Sequence, residues 1–115
     1  MAPLSTHVLD TSRGIPAEGI VLELHAIGGG DRRHILTTAT DARGRTNPII
    51  FAELNPGVYE LTFHAGDYFR NAGIAIPDPP FLDVVTIRFG VAEPKGHYHV
   101  PLLLSPYGYT TYRGS

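Results

Sequence analysis

What most restricts the fold of this chain is a two-residue apolar period that recurs along its length and is cut into short runs by turn residues. In Ile20-Val21-Leu22-Glu23-Leu24-His25-Ala26 the residues Ile20, Leu22, Leu24 and Ala26 share one face and Glu23 and His25 the other, as in a half-buried strand. Tyr59, Leu61 and Phe63 repeat the pattern within Val58 to His64. Val85, Ile87, Phe89 and Val91 repeat it again, as do Tyr98, Val100, Leu102 and Leu104. Gly28-Gly29-Gly30-Asp31 turns the first run toward a strand over His34 to Thr40, and Asp41-Ala42-Arg43-Gly44-Arg45 makes a second turn. The 13 glycines and 10 prolines fall between the runs, so they punctuate strands and predict an all-β sandwich. One short helix fits over Asp67 to Gly73, after Ala65-Gly66 and before Pro77, Pro79 and Pro80. A last short strand is expected from Tyr107 to Tyr112, and a looser stretch leads from Arg45 to Val58.

With 115 residues there is room for one domain, spanning 1–115, and none for a second. Apolar residues make up 43% and charged ones 17%, which is enough to build a packed core. Lys and Arg number 9 against 11 for Asp and Glu, and Lys95 is the sole lysine, so no basic surface exists for nucleic acid. Cysteine is absent, which excludes disulfides and thiolate metal sites. No stretch approaches the roughly 20 apolar residues of a membrane span, and Met1 to Asp10 lacks the pattern of a secretory signal. No membrane partner and a cytoplasmic location are therefore expected.

His97 and His99 leave their strand on the face opposite the Tyr98 row, and Pro101 follows them there. A proline lacks the ladder donor, so this strand is expected at a sheet edge or bulged near Pro101. An exposed leucine-rich edge calls for a subunit partner, which predicts an oligomer.

Three segments resemble signatures of the transthyretin-like family. They are Leu4-Ser5-Thr6-His7-Val8-Leu9-Asp10 with Gly14-Ile15-Pro16-Ala17, then Arg43-Gly44-Arg45-Thr46, then His97 through Tyr107 running into Tyr112-Arg113-Gly114-Ser115. With Phe63 through Phe69, the resemblance covers essentially the whole chain. It implies a transthyretin-like (prealbumin-like) β-sandwich of two antiparallel sheets with one short helix. The family divides between a vertebrate hormone carrier and the hydrolases of uric acid breakdown, and the terminal Tyr-Arg-Gly-Ser is typical of the hydrolases. One departure is visible, since many relatives read Asp-Gly-Arg where this chain has Arg43-Gly44-Arg45. The arginine itself is kept.

The activity so implied is hydrolysis of 5-hydroxyisourate to 2-oxo-4-hydroxy-4-carboxy-5-ureidoimidazoline in urate degradation, by a homotetramer that needs no cofactor and no metal. Carried over residue by residue, the resemblance makes His7, Arg45 and His99 catalytic. It places His7, Arg45, Tyr112 and Ser115 against the substrate. The chemistry suits these residue types. Ring opening by water needs a base, an acid and an oxyanion partner; histidine serves as either of the first two near neutral pH, and arginine as the third. Which histidine is the base stays open, and His97 is read as supporting His99. Two alternatives stand beside this reading. One is a small-ligand carrier without catalysis, and the other a zinc site built from His97, His99 and His7. His25, His34 and His64 are read as surface or structural residues.

Overall fold

A computed structural model describes residues 2–46, 51–93 and 96–114. The strands are β1 (Ala2–Asp10), β2 (Ile15–Pro16), β3 (Val21–Gly28), β4 (Asp31–Ala39), β5 (Phe51–Leu54), β6 (Gly57–His64), β7 (Val84–Val91), β8 (Tyr98–Ser105) and β9 (Gly108–Thr111). The helix α1 (Ala65–Asn71) follows β6 directly. One sheet has the order β2-β1-β8-β9 with β5 also paired to β1, and the other has the order β4-β3-β6-β7. None of the described helices is long and apolar enough to cross a membrane.

The apolar rows named above form the layer between the two sheets. Leu22, Leu24, Leu61, Phe63, Leu102 and Leu104 are fully buried, and Val85, Ile87, Tyr98 and Val100 nearly so. Helix α1 closes one end of this layer with Tyr68 and Phe69. A buried carboxylate ties that end to β1. Asp10 accepts from Ser12, Arg13 and the Tyr68 hydroxyl, the last at 2.7 Å. Burial would raise the Asp10 pKa, but these donors outweigh it and hold the carboxyl below its ordinary range.

Three features of the sandwich differ from expectation. The first sheet is not purely antiparallel, because β1 and β8 run parallel from Leu4↔Tyr98 to Asp10↔Leu104. A parallel pair needs a long crossover, and here nearly the whole chain intervenes. Second, β8 is an interior strand between β1 and β9, so Pro101 does not mark an edge. The antiparallel ladder to β9 stops at Leu102↔Thr111 and resumes in the same register at His99↔Gly114. Pro101 sits at the skipped position, opposite Tyr112, where its missing N–H costs one rung. Its carbonyl still accepts the Thr111 hydroxyl at 2.8 Å. Third, β5 occupies part of the looser stretch between Arg45 and Val58, pairing with the start of β1.

Candidate active site

The outer face of the first sheet, opposite the core, gathers most of the residues singled out in the sequence. Alternation along β1 sends Leu4, Thr6 and Val8 inward and Ser5 and His7 outward. The parallel register sets Ser5 beside His99 and His7 beside Pro101, so the two histidines lie diagonally across neighbouring strands.

Arg45 reaches this face through a tight turn. Asp41 Oδ1 accepts the backbone N–H groups of Arg43 at 2.8 Å and Arg45 at 3.1 Å, and the Asp41 N–H donates to the Arg45 carbonyl at 2.7 Å. The turn then docks on β1, with the Val8 N–H donating to the Gly44 carbonyl at 2.8 Å and His7 bridging to Arg45. Gly44 has a φ of 74°, and a Cβ there would collide with the Val8 carbonyl. A side chain at this position would therefore lift Arg45 away from His7.

The C-terminal segment approaches from the other side. Gly114 donates its N–H to the His99 carbonyl at 2.8 Å, and a Cβ on Gly114 would stand 2.5 Å from the His99 ring. Only glycine lets the backbone lie flat against that imidazole. Arg113 turns away, its guanidinium 4.2 Å from the centre of the Tyr98 ring, where a cation–π contact anchors the tail. Tyr112 is exposed and lines an edge groove of about 360 Å³ with Arg88, Phe89 and Tyr98. Its connection to His99 runs through the backbone, two residues from Gly114. Ser115 lies outside the described residues.

The electrostatics favour uncharged imidazoles. Partial burial lowers the His7 pKa, and the positive charge of Arg45 lowers it further against weaker opposition from the Arg43 carbonyl and Asp41. His99 is lowered by burial first, then by Arg45, His97 and His7. Each ring thus keeps a lone pair available at neutral pH beside a fixed cation.

Sequence reasoning gave Ser5 no role, although it lies within the opening motif. Its hydroxyl oxygen is 2.7 Å from His97 Nε2 and 2.7 Å from His99 Nδ1. The alternating pattern that marks Ser5 as outward-facing was the available signal; its neighbour across the sheet was not visible without the parallel register. The same contacts bear on the three-histidine zinc arrangement. His97 and His99 direct these nitrogens to a hydroxyl, and among the described residues no three His, Asp or Glu side chains are grouped to hold a metal ion.

Comparison with known proteins accords with this architecture. The HIUase/Transthyretin family matches residues 4–114. The chain is 54% identical over 114 residues to 5-hydroxyisourate hydrolase 2 of Rhizobium meliloti, covering 97% of this chain and 95% of that one. The solved structure of Klebsiella pneumoniae 5-hydroxyisourate hydrolase superposes with a TM-score of 0.84 at 37% identity, over 100% of both chains. Sea bream transthyretin, solved in complex with thyroxine, gives a TM-score of 0.85 at 34% identity, over 98% of this chain and 95% of that one. With that extent of sequence and fold in common, the chain belongs to the HIUase/Transthyretin family.

Proposed function

We propose that this protein is a 5-hydroxyisourate hydrolase of urate degradation and that His7, Arg45 and His99 are its catalytic residues. The observation that carries the assignment of residues is their convergence on one face, with both imidazoles biased toward the neutral form by burial and by Arg45. The similarity to 5-hydroxyisourate hydrolases along the full chain supports the choice of substrate.

The reaction adds one water across a ring amide. A neutral histidine takes a proton from water as the oxygen forms its bond to the ring carbonyl carbon. Arg45 holds the developing oxyanion with its planar fork of donors. The C–N bond then breaks, and a protonated histidine returns a proton to the departing nitrogen. The product is 2-oxo-4-hydroxy-4-carboxy-5-ureidoimidazoline. Tyr112 and Ser115 complete the substrate contacts in this reading, through the tail that Gly114 anchors beside His99.

The working form is a homotetramer in the cytoplasm. Exposed Phe81, Tyr107 and Tyr109, with Phe81 and Tyr107 rings 5.9 Å apart, support subunit contacts.

The test follows the ultraviolet absorbance of 5-hydroxyisourate freshly made from urate by urate oxidase. Decay far above the spontaneous rate and unchanged by a chelator is expected. Decay at the spontaneous rate would sink the hydrolase reading and favour a carrier of small aromatic ligands, a function consistent with the likeness to thyroxine-bound sea bream transthyretin.

A further inference from the structure

We propose that Ser5 is a positioning residue that locks His97 and His99 into matched tautomers and thereby presents a bare Nε2 on His99 to the reaction. The inference rests on the hydrolase reading above and deepens it.

The argument begins with the proton count of one hydroxyl. Ser5 Oγ lies 2.7 Å from a ring nitrogen on each of two histidines, and it has a single proton to give. Among the described residues the hydroxyl has no other acceptor, so its proton goes to one ring and the other ring must donate to it. Exactly one of the two facing nitrogens, His97 Nε2 or His99 Nδ1, therefore carries hydrogen when both rings are neutral. Because the facing atoms are Nε2 on one ring and Nδ1 on the other, the two histidines must share a tautomer. Either both are protonated on Nδ1 or both on Nε2.

The surroundings select the first. The groups that face His99 are Ser5 and His7 from β1, His97 from its own strand, Arg45 from the turn and the Gly114 backbone from the tail. Arg45 is a permanent donor, so a bare His99 nitrogen beside it is favoured over a second N–H. With Nδ1–H of His99 donated to Ser5, and the Ser5 proton donated to His97 Nε2, His99 Nε2 is left as an acceptor. His97 then holds its own proton on Nδ1, and this residue is exposed.

The arrangement also gives the proton a way out. When His99 takes a proton on Nε2, its Nδ1 proton can pass to Ser5, whose own proton passes to His97 Nε2, while His97 releases its Nδ1 proton to water. Charge and atoms balance at each transfer. Ser5 is buried between the half-buried and the exposed ring, so the path leads from the site to solvent.

The experiment joins two readouts. Nitrogen-15 NMR of histidine-labelled protein, at a pH where both rings are neutral, is expected to show Nδ1–H on His97 and on His99. One ring of each tautomer would overturn the proposal. In the absorbance assay, Ser5→Ala should lower kcat by up to roughly 100-fold with little change in KM, the scale for misplacing a reacting group by about 1 Å. Ser5→Thr, which keeps the hydroxyl, should restore most of it. His97→Ala should show a smaller loss of the same kind, and an unchanged kcat in Ser5→Ala would overturn the idea. If Ser5→Ala fails to fold, the wild-type tautomers and His97→Ala decide the matter. A wild-type protein that shows matched tautomers but hydrolyses nothing sinks the hydrolase reading, and the catalytic role of Ser5 with it. An active wild-type protein with unmatched rings sinks Ser5 alone.

Discussion

The two outer faces of the sandwich carry three histidines each, and their charged groups are wired differently. On the second sheet His64 Nε2 is 2.7 Å from a Glu23 carboxylate oxygen, and His34 Nε2 is 2.7 Å from the Thr37 hydroxyl. Glu60 sits between Arg32 and Arg88, accepting from both, and these hydrogen bonds depress its pKa. Opposite charges on this face are consumed in pairs, between the neighbouring strands β6 and β7 for Glu60 and Arg88 and across the intervening β3 for Glu60 and Arg32. On the first sheet His97 and His99 share a hydroxyl, and His7 and His99 lie within the field of Arg45. Among the described residues no carboxylate is paired with that guanidinium. His64, beside a carboxylate, is bound into the surface; His7 and His99, beside an arginine, keep their lone pairs, and so does buried His25 on the second sheet, whose pKa is lowered by burial first and then by Arg32. The number of imidazoles is the same, and what separates the proposed reactive face is its arginine: Arg32 is paired with Glu60, whereas among the described residues no carboxylate holds Arg45.

The widest contrast comes from removing one histidine from each face. His99→Asn should lower kcat/KM by roughly 10²- to 10⁴-fold, the range for loss of a general acid–base group, while His64→Asn leaves it unchanged in the same absorbance assay. A comparable loss from both would end the distinction. Gly114→Ala tests the packing of the tail on the His99 ring. It should cost roughly 10- to 100-fold in kcat/KM, the scale for displacing a positioned catalytic group, with the melting temperature nearly intact. Glu60→Ala should do the reverse, costing about 1–2 kcal/mol of stability in urea titration by leaving Arg32 and Arg88 facing each other, with activity preserved. The smallest effect is on pH dependence. Both site histidines lie below the ordinary 6.5, so the acid limb of kcat/KM should fall below pH 6.5. Arg45→Gln removes a charge that opposes protonation and should move that limb upward in the residual activity, whereas His64→Asn should not move it.

Much of this was readable in advance because burial enforces alternation. Leu22 and Leu24, Leu61 and Phe63, and Leu102 and Leu104 declare the faces of β3, β6 and β8 wherever the strand is long enough to repeat. β5 lacked that signal, being four residues long and attached only to the start of β1. Pro101 was a fair warning of a missing rung but not of an edge. The gap falls in the ladder toward β9, while the parallel pairing with β1 continues through Pro101 itself. His7, Arg45 and His99 were marked by their motifs, yet nothing in their spacing sets them together. That follows from the docking of the Asp41 turn on β1 and from the parallel register of β1 and β8. The link from Ser5 to His97 and His99 depends on the same register and was hidden for the same reason.

The parallel ladder between β1 and β8 also dictates when the protein can begin to work. Ser5 and His99 are 94 positions apart, so the site closes a loop that contains most of the chain. Contacts of such separation are slow to form, because the entropy of closing the loop is lost before any local contact repays it. His7 and Arg45 meet within the first 46 residues, but a fragment lacking either end of the chain cannot hold the whole proposed site together. During refolding, strand signals from β3, β6 and β7 can appear early, but the first turnover must wait for the two ends of the chain to meet.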